Sequence, residues 1–189
     1  MFLDKFNYFN IYGGWEWIDK VVTGVFMIKE NSALKNHFLK IFRHMKWADI
    51  SILELLEKQN IKEGKVVELI SHIVIAEDTW YKRITNEVYE NKFWNILSSA
   101  ECKKMAEQAN SKFVKYINAL SENDFQKMIS YKNSKGIDFT TSLEDIFMHM
   151  SLHGTYHRGQ IMMLMRNSGK DVIGTDYAIY IRENEYGEK

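Results

Sequence analysis

Four stretches of this chain carry apolar residues at the spacing of an α-helix, and no proline interrupts any of them. Apolar side chains that recur three and four positions apart form one stripe along a helix, and proline is the usual helix breaker. A chain of 189 residues is long enough to bury one substantial core. The sequence therefore predicts an all-α four-helix bundle, with helices over residues 37–59, 65–85, 98–120 and 141–167.

Hydroxyl side chains precede two of these helices, as expected for helix caps. Ser98 or Ser99 can cap the third predicted helix, and Thr141 or Ser142 can cap the fourth. The run from Thr141 to Glu144 also has the spacing of a capping box. These signals indicate where the two helices begin.

The segments outside the four helices show other patterns. Residues 124–141 contain two short extended pieces around a polar turn at 133–136, which predicts a small hairpin before the last helix. The tail, residues 172–182, is expected to pack back on the bundle. Residues 1–35 are rich in aromatics and have no clean period, although a short helix over 15–29 is expected. We interpret them as an extension.

Charge and hydropathy exclude several classes of protein. Lysine plus arginine equals aspartate plus glutamate, 25 of each, so the basic excess that attracts nucleic acid is missing. No apolar run approaches the ~18 residues that a membrane span needs, and the first ten residues do not resemble a signal peptide. The single cysteine, Cys102, cannot form an internal disulfide. We therefore expect a cytoplasmic protein that binds neither nucleic acid nor membranes.

Three of the six histidines lie within nine residues of the last predicted helix, at His149, His153 and His157. His153 and His157 are four residues apart, so their imidazoles stack about 6 Å apart on one helix face. Both fall on the apolar stripe, whereas His149 flanks it. Inward histidines are costly unless they are satisfied. Either polar core neighbours hydrogen-bond to them, or one divalent metal ion binds both.

The second helix offers a third ligand and an inward carboxylate. His72 lies at the border of the apolar stripe and is the best third ligand, although a boundary histidine is the alternative reading. His37, at a helix start, and His44, on a face expected to be solvated, are weaker candidates. Glu77 occupies the apolar stripe, where it can orient a ligand, act as a base or form a buried ion pair, which we favour.

Several motifs resemble those of one family, the DinB/YfiT-like metalloenzymes. Residues 153–160, HGTYHRGQ, resemble its HxxxHRGQ signature. Residues 44–49, HMKWAD, resemble its first-helix Trp-Ala-Asn segment, with aspartate in place of asparagine. Residues 69–73, LISHI, are similar to its second-helix histidine segment, and residues 175–177, TDY, resemble its tail. The histidine signature is the most specific of these pieces.

The resemblance covers residues 36–183, which we take as the bundle domain, and residues 1–35 have no counterpart. It implies a four-helix bundle of DinB type with an unusual connection order, often a homodimer. In this family one histidine of the second helix and two of the last hold a metal ion. Carried over to this chain, those ligands are His72, His153 and His157.

The resemblance also implies a reaction. Three neutral imidazoles leave a divalent ion coordinatively open, and zinc is its commonest occupant, with nickel, iron or manganese as alternatives. Characterised relatives include metal-dependent transferases that join a low-molecular-weight thiol to a small electrophilic substrate. Tyr156, Arg158 and Gln160 are the expected helpers. By helical angle Arg158 and Gln160 lie on the flanks, where such side chains usually pair across helices or meet solvent.

Two other functions remain open at this point. The same ligands suit a hydrolase that uses metal-bound hydroxide, with Glu77 as the general base. A non-catalytic, stress-related metal-binding module is the third candidate, with the aromatic N-terminal extension as its contact surface.

Overall fold

The computed structural model describes residues 33–90 and 92–187 and confirms the helical bundle. The predicted short helix over residues 15–29 lies outside the described residues, as does the N-terminal extension up to residue 32. The first described helix begins at Ala33, before its predicted start at residue 37. The described elements are α1 Ala33–Lys58, α2 Lys65–Thr85, α3 Ser99–Ala119, a 3-10 turn Glu122–Gln126, β1 Met128–Lys132, β2 Asp138–Ser142, α4 Leu143–Asn167 and α5 Tyr177–Asn184.

Side-chain caps fix where α3 and α4 begin. The Ser98 hydroxyl accepts a hydrogen bond from the Glu101 backbone N–H, and the Glu101 carboxylate accepts one from the Ser98 backbone N–H. At α4 the cap is Ser142, which accepts from the backbone N–H of Asp145. The capping box predicted from Thr141 is wrong, because the cap is one residue later, at Ser142, and the Thr141 hydroxyl lies 3.3 Å from the Tyr131 hydroxyl of the hairpin instead.

The core consists of two clusters of buried side chains, one toward each end of the bundle. Phe42, Phe113 and Phe147 form the centre of one cluster, with ring centroids 4.6 Å apart for the first pair and 5.2 Å for Phe42 and Phe147. Ile73 and Ile161 belong to the other. α1 packs mainly on α3, whereas α2 packs on both α3 and α4. The apolar stripes of α2 and α4 thus face each other, and this contact builds the site.

The predicted hairpin is present and continues directly into α4. β1 and β2 are antiparallel, with Tyr131 opposite Phe139. The hairpin lies against α2, where the guanidinium of Arg83 donates to the carbonyl oxygen of Lys132 at 3.0 Å. It therefore forms one wall of the space above the end of α2.

The C-terminal tail packs back on α1, as predicted, and buries a residue expected to be solvated. Tyr180 of α5 is buried, and its ring lies 5.6 Å from the rings of both His44 and Trp47. The His44 Nε2–H donates to the Thr175 carbonyl oxygen at 2.8 Å. The expectation that His44 lies on a solvated face is wrong, because a segment distant in sequence covers it. Burial lowers the pKa of this imidazole.

Candidate metal centre

Three histidines from two helices converge on one point. His72 of α2 and His153 and His157 of α4 each offer a ring nitrogen, and these nitrogens lie within 4.8 Å of one another. The Nε2 atoms of His72 and His153 are 3.2 Å apart. His149, one turn before His153, flanks the group, as its angle on the helix predicts, and His37 is exposed on α1. Of the described residues, this is the one cluster that could hold a metal ion.

Neighbouring acceptors hold two of the rings in the orientation that a metal ligand needs. The Nδ1–H of His72 donates to the Phe93 carbonyl oxygen at 2.9 Å, and the Nδ1–H of His157 donates to the Gln160 side-chain oxygen at 2.8 Å. The indole of Trp94 stacks on the His72 ring at 4.0 Å with the planes 7° apart. Both Nε2 atoms are therefore left as free acceptors, as in metal-binding histidines whose other nitrogen is hydrogen-bonded.

Burial keeps the central imidazole neutral. Desolvation lowers the pKa of His153 to about 3, and the positive charges of the neighbouring histidines and Arg158 contribute. Desolvation also lowers the pKa of His72, against the opposing effect of its hydrogen bond to Phe93. A neutral imidazole is the form that binds a cation, so the site is prepared for a metal near neutral pH.

The spacing fits a first-row divalent ion. Zinc–nitrogen bonds of ~2.0–2.1 Å at a tetrahedral angle place ligand nitrogens about 3.3 Å apart. The 3.2 Å between the His72 and His153 nitrogens matches this value. The wider limit of 4.8 Å for the whole group means that a small side-chain adjustment must bring the third nitrogen into range. Nitrogen donors suit zinc, nickel, iron and copper better than magnesium or calcium.

A buried charge cluster lies behind the histidines and was missed from the sequence. Arg158 is 1% exposed, and its Nη1 lies 3.0 Å from Oδ1 of Asp49, which is 0% exposed. Its Nη2 donates to the Thr155 hydroxyl. The sequence allowed two roles for Arg158, pairing across helices or contact with solvent, and the structure shows the pairing. In the sequence, the position of Asp49 within the apolar stripe of α1 was the sign that this carboxylate is buried and needs a cationic partner.

Glu77 completes this cluster. Its side chain is buried, as its place in the α2 stripe predicts, and its carboxyl group lies beside that of Asp49. Burial and the charge of Asp49 raise the pKa of Glu77 well above its usual range. Oδ2 of Asp49 and Oε1 of Glu77 are the buried side-chain oxygens without a partner among the described residues. One proton held between the two carboxyl groups would satisfy both and would leave one negative charge opposite Arg158.

The remaining predicted helpers lie on the outer side of the histidines. Gln160 contacts His157 directly, through the hydrogen bond given above. Tyr156 is 65% exposed, and its ring centroid is 5.1 Å from that of His157. The histidines thus have a polar amide and a phenol on one side and the buried charge cluster behind them.

A pocket of about 840 Å³ opens in front of His72 and His153. Its walls are mainly aromatic, with Trp80 from α2, Phe93 and Trp94 from the loop after α2, and Tyr131 and Phe139 from the hairpin. The sequence did not predict the two loop residues as part of the site, because residues 86–98 have no helical or strand period. The pocket is large enough for small organic molecules beside the histidines.

Comparison with known proteins agrees with the fold. The DinB family model matches residues 30–188. A 41-residue segment is 39% identical to Protein DinB of Bacillus subtilis strain 168, and it spans 22% of this chain and 24% of that protein. A crystal structure of a DinB-like protein from Bacillus cereus ATCC 10987 superposes with a TM-score of 0.59 at 19% identity, over 72% of this chain and 94% of that one. Because the family match extends over most of its length, this chain belongs to the DinB family.

Proposed function

We propose that His72, His153 and His157 bind one divalent metal ion, zinc in the first instance. The observation that carries this proposal is the 3.2 Å separation of two Nε2 atoms whose rings are neutral near pH 7. Without a cation, only one hydrogen bond could join these two nitrogens, and the third histidine would gain nothing from its position. A bound ion satisfies all three imidazoles at once.

Elemental analysis of untagged protein tests the metal site. Wild-type protein should retain about one equivalent of zinc or another transition metal after dialysis, and His153→Ala should retain almost none. His37→Ala is the matched control, because His37 is an exposed histidine outside the cluster. Equal metal content in wild-type protein and His153→Ala would refute the site.

For the reaction, we propose transfer of a low-molecular-weight thiol to an electrophilic small molecule. The bound ion would stabilise the thiolate form of the thiol. The thiol must come from solution, because Cys102 is buried in the other part of the core and does not line the pocket. The pocket beside His72 and His153 has room for both reactants, and its aromatic walls suit an apolar electrophile.

The surrounding residues would support this reaction by position. Gln160 and the Phe93 carbonyl fix the rings of His157 and His72. Arg158 and Glu77 form the buried support behind His153, and Tyr156 covers the outer edge of His157. We therefore propose that these side chains orient the ligands and tune their charge.

The assay combines metal-loaded protein with bacillithiol, mycothiol or glutathione and 1-chloro-2,4-dinitrobenzene. A sulfur–carbon bond forms, chloride leaves and the thiol proton passes to solvent, which can be followed by absorbance. One of these thiols should react faster with wild-type protein than with His153→Ala, and His37→Ala should behave as wild type. No metal-dependent adduct with any of the thiols would contradict the transferase while leaving the metal site intact.

A hydrolase is the second candidate, because Glu77 and His153 line the same small cavity between α2 and α4. Glu77 is buried beside Asp49 and does not line the pocket in front of the histidines, which disfavours this role, since a base must reach the reacting water. Hydrolysis of p-nitrophenyl esters without added thiol, lost in Glu77→Gln, would favour the hydrolase over the transferase.

We also propose that the protein forms a homodimer through α4. An exposed apolar stripe lies on the side of this helix away from the core, formed by Met148, Leu152, Tyr156 and Met163. Exposed apolar stripes of this kind are typical of subunit contacts. Leu152→Lys should lower the mass measured by light scattering from that of a dimer to that of a monomer. Val88→Lys, at a position 97% exposed in a loop, is the control and should leave the mass unchanged.

A further inference from the structure

Arg83 carries a buried positive charge at the far end of the aromatic pocket. Its side chain is 8% exposed, and no carboxylate among the described residues forms an ion pair with it. Its immediate surroundings are neutral: the rings of Trp80 and Tyr131 lie 4.6 and 5.2 Å from its central carbon. Buried charges are usually paired, so a guanidinium in such surroundings lacks a counter-ion.

Only part of the guanidinium is used by the protein itself. Nε donates to the Tyr89 hydroxyl at 3.2 Å and Nη2 donates to the Lys132 carbonyl at 3.0 Å. Nη1 makes no hydrogen bond to any described residue. This nitrogen keeps some accessible surface, since it is not among the fully buried polar atoms of the described residues that lack a partner. Arg83 lines the pocket, so this unused donor is available to a ligand bound there.

The rest of the pocket wall also favours a negatively charged ligand. None of the described residues that line it is an aspartate or glutamate, and its other cation is Lys92, which pairs with Glu90 at 2.6 Å. His149 lies on the same wall. It supplies a polar group between Arg83 and the proposed metal ligands.

Arg83 and the histidines face one continuous space. His72 and Arg83 are eleven positions apart on α2, which places their Cα atoms ~16 Å apart along the helix axis. Aromatic rings in contact with one another fill the wall between these two residues. The ring centroid of His149 lies 5.6 Å from that of His153 and 5.4 Å from that of Trp80. A ligand can therefore reach toward the imidazoles while its other end meets the guanidinium.

From this geometry we infer that the pocket binds an organic carboxylate with an aromatic or otherwise apolar body, and that Arg83 Nη1 donates to the carboxylate. The inference rests on the proposed function, since it names the substrate class for the pocket beside the metal site. The apolar body lies against Trp80 and Phe139, and the reacting end points toward His153. A charge-assisted hydrogen bond in this partly enclosed site provides the selectivity.

Calorimetric titration with 2-naphthoate and its neutral analogue 2-naphthamide tests the inference. Wild-type, zinc-loaded protein should bind the carboxylate about tenfold more tightly than the amide. In Arg83→Gln this preference should fall to less than about twofold, because a neutral amide replaces the charged donor. Lys92→Gln, which removes the other cation of the pocket, is the matched control and should keep the preference.

A carboxylate could also bind directly to a metal ion, so the same titration is made with His153→Ala. Retained preference in that variant supports the Arg83 site, whereas its loss places the anion at the histidines and overturns the inference. Equal binding of carboxylate and amide by wild-type protein, or an unchanged preference in Arg83→Gln, also overturns it.

Arg83 additionally links α2 to the hairpin, so Arg83→Gln is checked by circular dichroism. If that variant does not fold, Arg83→Lys replaces it. Lysine keeps the charge but not the fixed donor geometry, and the preference should fall severalfold. Zinc content is measured on the same samples. Carboxylate preference without bound zinc rejects only the metal proposal, and bound zinc without the preference rejects only the present inference.

Discussion

Gly154 lies between the metal-ligand candidates in sequence, and its lack of a side chain makes room for Arg158. A Cβ atom at this position would lie 2.8 Å from Nη1 and 3.3 Å from Cζ of Arg158. The guanidinium has little freedom to move, because Nη1 pairs with Asp49 at 3.0 Å and Nη2 donates to Thr155 at 3.2 Å. We therefore predict that Gly154→Ala disrupts the buried ion pair.

Two opposing effects set the magnitude. In an exposed helix interior, replacing glycine with alanine stabilises the fold by about 1 kcal/mol. Breaking a buried ion pair costs about 3–5 kcal/mol, because one charge is left without its partner. Gly154→Ala should therefore lower the free energy of unfolding by about 2–4 kcal/mol if the guanidinium is held as described. If Arg158 could move aside freely, the same change would stabilise the protein.

Urea unfolding followed by circular dichroism distinguishes these outcomes, with EDTA present so that metal binding does not contribute. At an m-value of about 2 kcal/mol per molar urea, the midpoint should fall by about 1–2 M. Gly159→Ala is the matched control on the same helix, since no atom lies within 4 Å of the added Cβ there. It should raise stability by about 1 kcal/mol. A Gly154→Ala midpoint that rises with that of the control would refute the proposed packing of Arg158.

Three further predictions concern the histidines and the carboxyl pair. Gln160→Leu should weaken zinc binding about 10–100-fold, because His157 loses the acceptor of its Nδ1–H; competition with a chromogenic chelator measures this, and an unchanged affinity would exclude the orienting role. Metal-free protein should lose stability as the pH falls from 7 to 5, because the unfolded chain binds protons near pH 6.5 that the lowered pKa of His153 keeps off the folded state. For His153 alone the loss at pH 5 is at most about 2 kcal/mol, and about 1 kcal/mol once solvent screening is included; equal urea midpoints at the two pH values would contradict it. Glu77→Gln should change stability by less than about 1 kcal/mol at pH 6, because a neutral amide resembles the protonated carboxyl group. Because the pKa of Glu77 is raised, protonated Glu77 contributes stability at low pH, and this contribution is lost as the pH rises through that pKa. At pH 9 the Glu77→Gln variant should therefore gain stability relative to wild-type protein.

Local patterns in the sequence were sufficient for the helices and for the direction of the key side chains. The second helix was predicted over residues 65–85, and α2 spans Lys65–Thr85. The inward orientation of His153 and Glu77 followed from their place in apolar stripes. Such features depend on the 100° rotation per residue within one helix, which holds whatever the helix packs against. The prediction failed by one residue where a second element intervened, as at Thr141, whose hydroxyl lies against Tyr131 of β1 instead of capping α4.

No local pattern carried the features that join distant segments. Burial of His44 depends on the tail at Thr175, 131 positions later, and the pairing of Asp49 with Arg158 spans 109 positions.

Only the tertiary structure decided which rings and charges surround the histidines. The loop that holds Phe93 and Trp94 over His72 has no periodic pattern in the sequence. The sequence of the hairpin likewise does not indicate that it packs against Arg83 of α2. The sequence by itself determined the helices and the three imidazoles that face inward from them, because a helix imposes its own geometry on residues three and four apart. The pocket, the buried carboxyl pair and the guanidinium without a counter-ion depend on which helix faces meet, and chain connectivity and packing set this across the whole domain.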